Sequence, residues 1–264
     1  MLIPGRMFFM SDTVKILSLR FPLLTETEAL RIAARMAAAH RPFSIFTPNA
    51  EIANRAAHSP AFSDLLNRAD LLLPDGVGIT LAARLRGARL SRMPGIDFAE
   101  RLLSAAPPRG YRVFLLGAHP GVAARAGREL ERRFPRVRIC GVQDGYFPPG
   151  MRRAVAGAVT AASPDLLFVC LGSPLQEEWI AAFRPPCLAI GLGGALDVWA
   201  GCVRRAPDGW QRMGLEWLWR TAKDPARLRR LPALTAFAWR AVLPPFSRER
   251  EKQKKSRTER DFSL

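Results

Sequence analysis

Leu71-Leu72-Leu73-Pro74-Asp75-Gly76-Val77-Gly78 decides the fold. Three consecutive leucines leave no polar face, so the run reads as a strand covered on both sides. Pro74 ends it, and the Asp-Gly pair turns the chain toward a helix beginning near Gly76. An apolar strand, a short polar turn and a helix form the repeating unit of a parallel sheet.

The same order recurs on either side. β-type runs fall at residues 14–19, 43–46, 111–116, 137–141, 166–171 and 187–191. Helical stretches separate most of them. Thr25-Glu26-Thr27-Glu28 is a capping box, opening an alanine-rich helix that runs to about residue 39. Helices follow at 50–58, from Ser59-Pro60 onward, at 121–134 and at 151–162. The predicted fold is α/β: a Rossmann-like, mostly parallel sheet with helices on both faces. No internal repeat is present.

Beyond about residue 201 the strands stop. Residues 210–222 and 225–243 combine Trp, Leu and Phe with Arg in helical patterns, and 247–264 is polar and charged without apolar periodicity. The chain therefore divides into an N-terminal extension (1–13), an α/β catalytic domain (14–202), a helical appendage (203–246) and a disordered basic tail (247–264).

Composition narrows the class. Of 264 residues, 48% are hydrophobic and 24% charged, which excludes a wholly disordered chain. No window of 18 apolar residues predicts a spanning helix, and the first ten residues lack a signal peptide's cleavage site. Cys140, Cys170, Cys187 and Cys202 form no CxxC pair, so zinc ribbons and dithiol chemistry are disfavoured and reduced thiols are expected. Charge is the unusual feature: 40 Lys and Arg against 23 Asp and Glu leave +17. Residues 203–264 hold 16 basic and 7 acidic residues, several times the positive density of the rest. Such a segment suits an anionic membrane surface, a diphosphate or nucleic acid.

Ligands of doubly wound sheets bind beyond the carboxyl ends of the strands. Four turns there are polar or glycine-rich: Thr47-Pro48-Asn49, Pro74 to Gly78, Gly172-Ser173-Pro174-Leu175-Gln176 and Gly191-Leu192-Gly193-Gly194. Two of them are expected to open a helix and offer amides to a phosphate. Gly172, Gly193 and Gly194 are accordingly substrate-binding candidates. Asp75 is placed either as a general base at a strand end or as the cap of the next helix. There is no DxD, HExxH, GxSxG, GxGxxG or P-loop pattern, and no metal site is expected. His40, His58 and His119 have no ligand partners nearby in sequence; His119, after a strand and before Pro120-Gly121, reads as a ligand contact or, in preference, as a solvated turn residue.

These turns, with the Asn67–Gly78 segment, Pro94-Gly95-Ile96-Asp97, Gly141-Val142-Gln143-Asp144-Gly145-Tyr146-Phe147, Gly172 to Trp179, Gly191 to Asp197, Arg205-Ala206-Pro207 and Gly214-Leu215-Glu216-Trp217-Leu218-Trp219-Arg220, resemble the WecG/TagA/CpsF family of bacterial glycosyltransferases. The resemblance runs in order from about Val14 to Arg230. It implies metal-independent, inverting transfer of a hexose or N-acetylhexosamine-type sugar from a UDP-sugar to a polyprenyl-diphosphate-linked saccharide. The setting it implies is cytoplasmic, peripheral on the inner membrane face, with no cofactor. By the resemblance Asp75 is the catalytic base, with Thr47 and Asn49 lining its pocket. Arg92 and Gln176 look like substrate contacts, and Tyr146 and Asp197 like nucleotide contacts. Arg220, Arg227 and Arg230 match the arginines of an appendage that closes over the site. Met93-Pro94 stands where the family often has Val-Thr.

The chemistry agrees with that reading. Charge develops on a diphosphate leaving group, and without a metal, arginines and helix N-termini are the stabilisers. Trp and Phe beside Arg suit a membrane-associating appendage. Two competing readings have weaker support: a Rossmann-type oxidoreductase lacks its dinucleotide fingerprint, and a basic membrane- or nucleic-acid-binding module leaves the sheet-edge turns unexplained. No nucleic-acid partner is expected, and a homo-oligomer is compatible with the sequence.

Overall fold

The computed structural model describes residues 12–207 together with 209, 210, 218, 219, 237, 239 and 240. The proposed tail, residues 1–11 of the extension, most of the appendage helices, and Arg220, Arg227 and Arg230 lie outside the described residues.

Six strands form one all-parallel sheet: β3 (Phe43–Phe46), β4 (Leu71–Leu72), β5 (Tyr111–Gly117), β6 (Val137–Gln143), β7 (Leu166–Cys170) and β8 (Leu188–Gly191). Their order is β4-β3-β8-β7-β5-β6. Every carboxyl end therefore opens on the same edge. β7 and β8 are buried at every residue, as continuous apolar runs require. β6 is only partly covered because it closes one side of the sheet.

Alternation along the strands splits the core in two. On one face Phe43, Ile45, Val113, Leu115, Leu166, Phe168, Leu188 and Ile190 pack against α1 (Glu26–Ala39), α5 (Gly95–Ser104), α6 (Val122–Arg133) and α9 (Ala195–Trp199). On the other, Phe46, Leu72, Phe114, Leu116, Leu167, Val169 and Ala189 meet α2 (Ala50–His58), α3 (Pro60–Asn67), α4 (Val77–Arg84), α7 (Arg152–Ala162) and α8 (Leu175–Phe183). Helices thus cover both faces, as expected.

The capping box is formed: Glu28 N–H donates to Thr25 Oγ1 and Thr25 N–H to Glu28 Oε2. Ser59 caps α3 ahead of Pro60.

One strand expectation is corrected. Residues 14–19 are not a strand of the main sheet. They are split by a turn into β1 (Thr13–Ile16) and β2 (Leu19–Pro22), an antiparallel hairpin of its own. Val14, Ile16, Leu19 and Phe21 all point into the second core. The apolar residues are buried, but the turn holds Leu17 at φ 53° and carries no glycine or asparagine to announce it. Helix α5 is a further element that the sequence pattern does not announce, since Pro94 at its N-cap offers no capping side chain.

Candidate active site

The turns beyond β3 and β4 are tied together by main-chain bonds. Asp75 N–H donates to Pro48 O at 3.2 Å, and Met93 N–H to Pro74 O at 2.9 Å. These two bonds bring the Thr47, Asp75 and Arg92 segments into one cluster. Asp75 is half-buried and follows β4 by three residues. It is not the N-cap residue: Gly76, at φ 95°, holds that position in α4. A left-handed residue there favours glycine. The Asp75 carboxylate therefore lies just ahead of the N-terminus of α4.

Thr47 is buried and donates its hydroxyl to Gly191 O at 3.0 Å, joining the β3 turn to the β8 turn. A Cβ on Gly95 would come within 3.0 Å of Thr47 Oγ1, so the start of α5 presses directly on this residue. Asn49 caps α2 by accepting from Ile52 N–H at 3.0 Å.

Gln176 and Glu177 are buried at the start of α8. Gln176 Oε1 accepts from Gly193 N–H at 2.9 Å, while its Nε2 donates to Glu177 Oε1 at 2.9 Å. Gln176 is therefore the brace between the β7 and β8 turns. Burial pushes the Glu177 carboxyl above its usual range, opposed in part by the Gln176 bond. Arg55 Nη1 donates to Ser173 O at 2.7 Å from the α2 side. All four sheet-edge turns lead into helices, not two: α2, α4, α8 and α9.

Gly172 and Gly193 take φ of 76° and 56°, and Gly194 lies beside the Asp197 carboxylate in the first turn of α9. Asp97, in the first turn of α5, receives Arg205 Nη1 at 2.6 Å. Two motifs far apart in the chain thus meet at the base of the C-terminal segment. Farther along that segment Phe237 is buried against Gly78 of α4, and Arg240 Nη1 lies 3.2 Å from His58 Nδ1. At least this part of the appendage packs on the α/β domain.

Tyr146 follows β6 on the other side of the sheet, 65% exposed. Its ring stacks on His119 with centroids 4.3 Å apart, and its hydroxyl is 2.9 Å from His119 Nε2. Gly145 N–H donates to Ala118 O, and Gly145 lies against the Leu171 side chain, so the Tyr146 loop leans over β5 and β7. His119 is exposed in the turn after β5, as the sequence predicts, and what the sequence does not announce is its pairing with Tyr146, which follows the neighbouring strand at the same edge.

The four cysteines are free thiols, and burial pushes Cys170 and Cys187 up to about 12, so neither supplies a thiolate near neutral pH. Among the described residues no group of three or more His, Cys, Asp or Glu could hold a metal ion, and no helix is long and apolar enough to cross a membrane.

The model of the glycosyl transferase WecG/TagA/CpsF family matches residues 14–251. Among similar proteins is an N-acetylglucosaminyldiphosphoundecaprenol N-acetyl-beta-D-mannosaminyltransferase of Bacillus spizizenii. It is 40% identical over 197 residues, which are 73% of this chain and 76% of that protein. The protein of the same name from Bacillus subtilis is 37% identical over 198 residues, 74% and 77% of the two chains.

Proposed function

Because this chain belongs to the WecG/TagA/CpsF family of glycosyltransferases, we propose that it moves an N-acetylmannosaminyl group from a UDP-sugar to a polyprenyl-diphosphate-linked N-acetylglucosamine. The observation that carries this reading is the clustering of Asp75, Thr47, Asn49 and Arg92 around the main-chain bonds of Asp75 and Met93. The relatives' names supply the sugar and the acceptor.

Asp75 takes the proton from the acceptor hydroxyl as its oxygen forms a bond to the anomeric carbon. The bond from that carbon to the diphosphate breaks, and UDP leaves with the electron pair. A β product from an α-linked nucleotide sugar is the outcome of one in-line displacement, so the reaction inverts. Charge growing on the diphosphate is met by uncapped helix N-termini and by Arg220, Arg227 and Arg230 in place of a metal. Arg92 contacts substrate at the cluster. Gln176 holds the Gly193 turn, with Gly172, Gly193 and Gly194 giving the diphosphate close approach to main chain. Tyr146 stacks on the base and Asp197 binds the nucleotide. The protein works on the inner face of the membrane, its basic C-terminal segment against anionic lipid.

Purified protein incubated with a panel of UDP-sugars and a synthetic polyprenyl-diphosphate N-acetylglucosamine tests the proposal. A β-linked disaccharide from UDP-N-acetylmannosamine is expected. Transfer of a different sugar overturns the substrate assignment, and no transfer from any donor overturns the activity.

A further inference from the structure

Helix α4 buries Ile79, Ala82 and Ala83 but leaves Leu81 54% exposed and its C-cap residue, Leu85, 57% exposed. The two leucines are four residues apart and so share one flank of the helix line. Isolated exposed leucines are ordinary. Here the neighbours are not. Between Asp75 and Asp97 there is no acidic residue, while Arg84, Arg86, Arg89 and Arg92 are all basic. Arg84 and Arg89 also line one concavity of about 470 Å³, shared with Gly87, Ala88 and Leu90. An apolar pair flanked by arginines is the composition of an element that lies in a bilayer interface.

We propose that the exposed flank of α4 and the arginine-rich turn after it form a docking surface for an anionic lipid bilayer, separate from the C-terminal appendage. Leu81 and Leu85 enter the boundary of the acyl region, and a lipid phosphate sits between Arg84 and Arg89. Charge favours this occupant over a second copy: the chain carries +17, so two copies repel, whereas an anionic surface attracts. The leucines argue against a nucleic acid, which would leave them in water.

Position gives the surface its purpose, and this step rests on the lipid-linked acceptor proposed above. α4 begins two residues after Asp75. Eight helical residues span roughly 12 Å, so docking through the far end of α4 holds Asp75 close to headgroup level. A diphosphate anchored in the bilayer would present its sugar there. The C-terminal segment approaches the same helix from its other end, with Phe237 against Gly78 and Trp239 two residues on, 68% exposed.

The test uses the full chain and co-sedimentation with vesicles of phosphatidylcholine, with and without phosphatidylglycerol. The pair Arg84→Gln/Arg89→Gln should lower partition onto the anionic vesicles by about fivefold per arginine and leave zwitterionic vesicles unaffected. The pair Leu81→Gln/Leu85→Gln should lower partition onto both. Because the positions are exposed, both variants should melt like the parent and keep turnover on a soluble short-chain acceptor within about twofold. Partition of both variants within about twofold of the parent overturns the proposal. So does a parent that ignores anionic vesicles, or variants that dissociate an oligomer in vesicle-free buffer while binding vesicles unchanged. A parent that binds as expected but transfers no sugar overturns the proposed function and leaves the docking surface standing.

Discussion

Arg205 and Asp97 stand 108 residues apart in the chain, yet Arg205 Nη1 lies 2.6 Å from Asp97 Oδ1. Both side chains are largely covered, at 19% and 29% exposure. Asp97 belongs to the first turn of α5, the helix whose opening glycine presses on Thr47. The pair therefore fastens the start of the C-terminal segment to a wall of the site.

A pair this far from solvent is worth more than a surface contact and less than a fully buried one. A double-mutant cycle of Asp97→Ala and Arg205→Ala should give a coupling of about 1–2 kcal/mol in urea unfolding. Additive losses would mean that the two residues act separately.

Asp75→Asn removes the proposed base without changing the side chain's size. Turnover should fall by about a hundredfold or more, while UDP still protects the protein against heat. A variant with parental turnover would show that another group takes the proton.

Leaving-group charge is assigned to arginines and helix ends. Activity should therefore survive EDTA, and replacing Arg220, Arg227 and Arg230 together by alanine should abolish transfer even to a soluble acceptor. Loss on chelation with recovery on Mg²⁺ or Mn²⁺ would reverse the assignment.

Glu177 makes stability depend on pH. Its carboxyl is raised by burial, so the folded protein holds this proton more tightly than the unfolded chain. Its contribution is full below the unfolded carboxylate range and is lost as pH rises through the folded value. Glu177→Gln should flatten the fall in melting temperature over that window. An unchanged profile in the variant would place the titration elsewhere.

Tyr146 is proposed as the stacking surface for the base. Tyr146→Ala should raise the donor KM by about tenfold with a smaller effect on kcat. Tyr146→Phe keeps the ring and loses the contact with His119 Nε2, so it should stay near the parent value. Equal losses in both variants would assign the role to the hydroxyl.

Local pattern carried much of this protein. Three leucines before Pro74 marked β4, Thr25 with Glu28 marked the start of α1, and Ser59-Pro60 marked α3, because each depends on residues within a turn or two of one another. The same locality placed Thr47, Asn49, Asp75 and Gln176 just beyond strands, hence on one edge of a parallel sheet. It failed at residues 14–19, where an apolar run concealed a turn at Leu17-Ser18.

Only the tertiary structure decided how those local units meet. Strand order is set by which crossovers bury both faces, and nothing near residue 188 announces that β8 will lie between β3 and β7. That insertion lets Thr47 reach Gly191 and lets Gln176, from the β7 turn, hold Gly193. Asp75 could be base or cap from sequence, since both need a carboxylate before a helix; Gly76 took the cap. His119 with Tyr146 and Asp97 with Arg205 join turns that the chain keeps far apart. Their energy comes from through-space packing and charge, which no sequence spacing records.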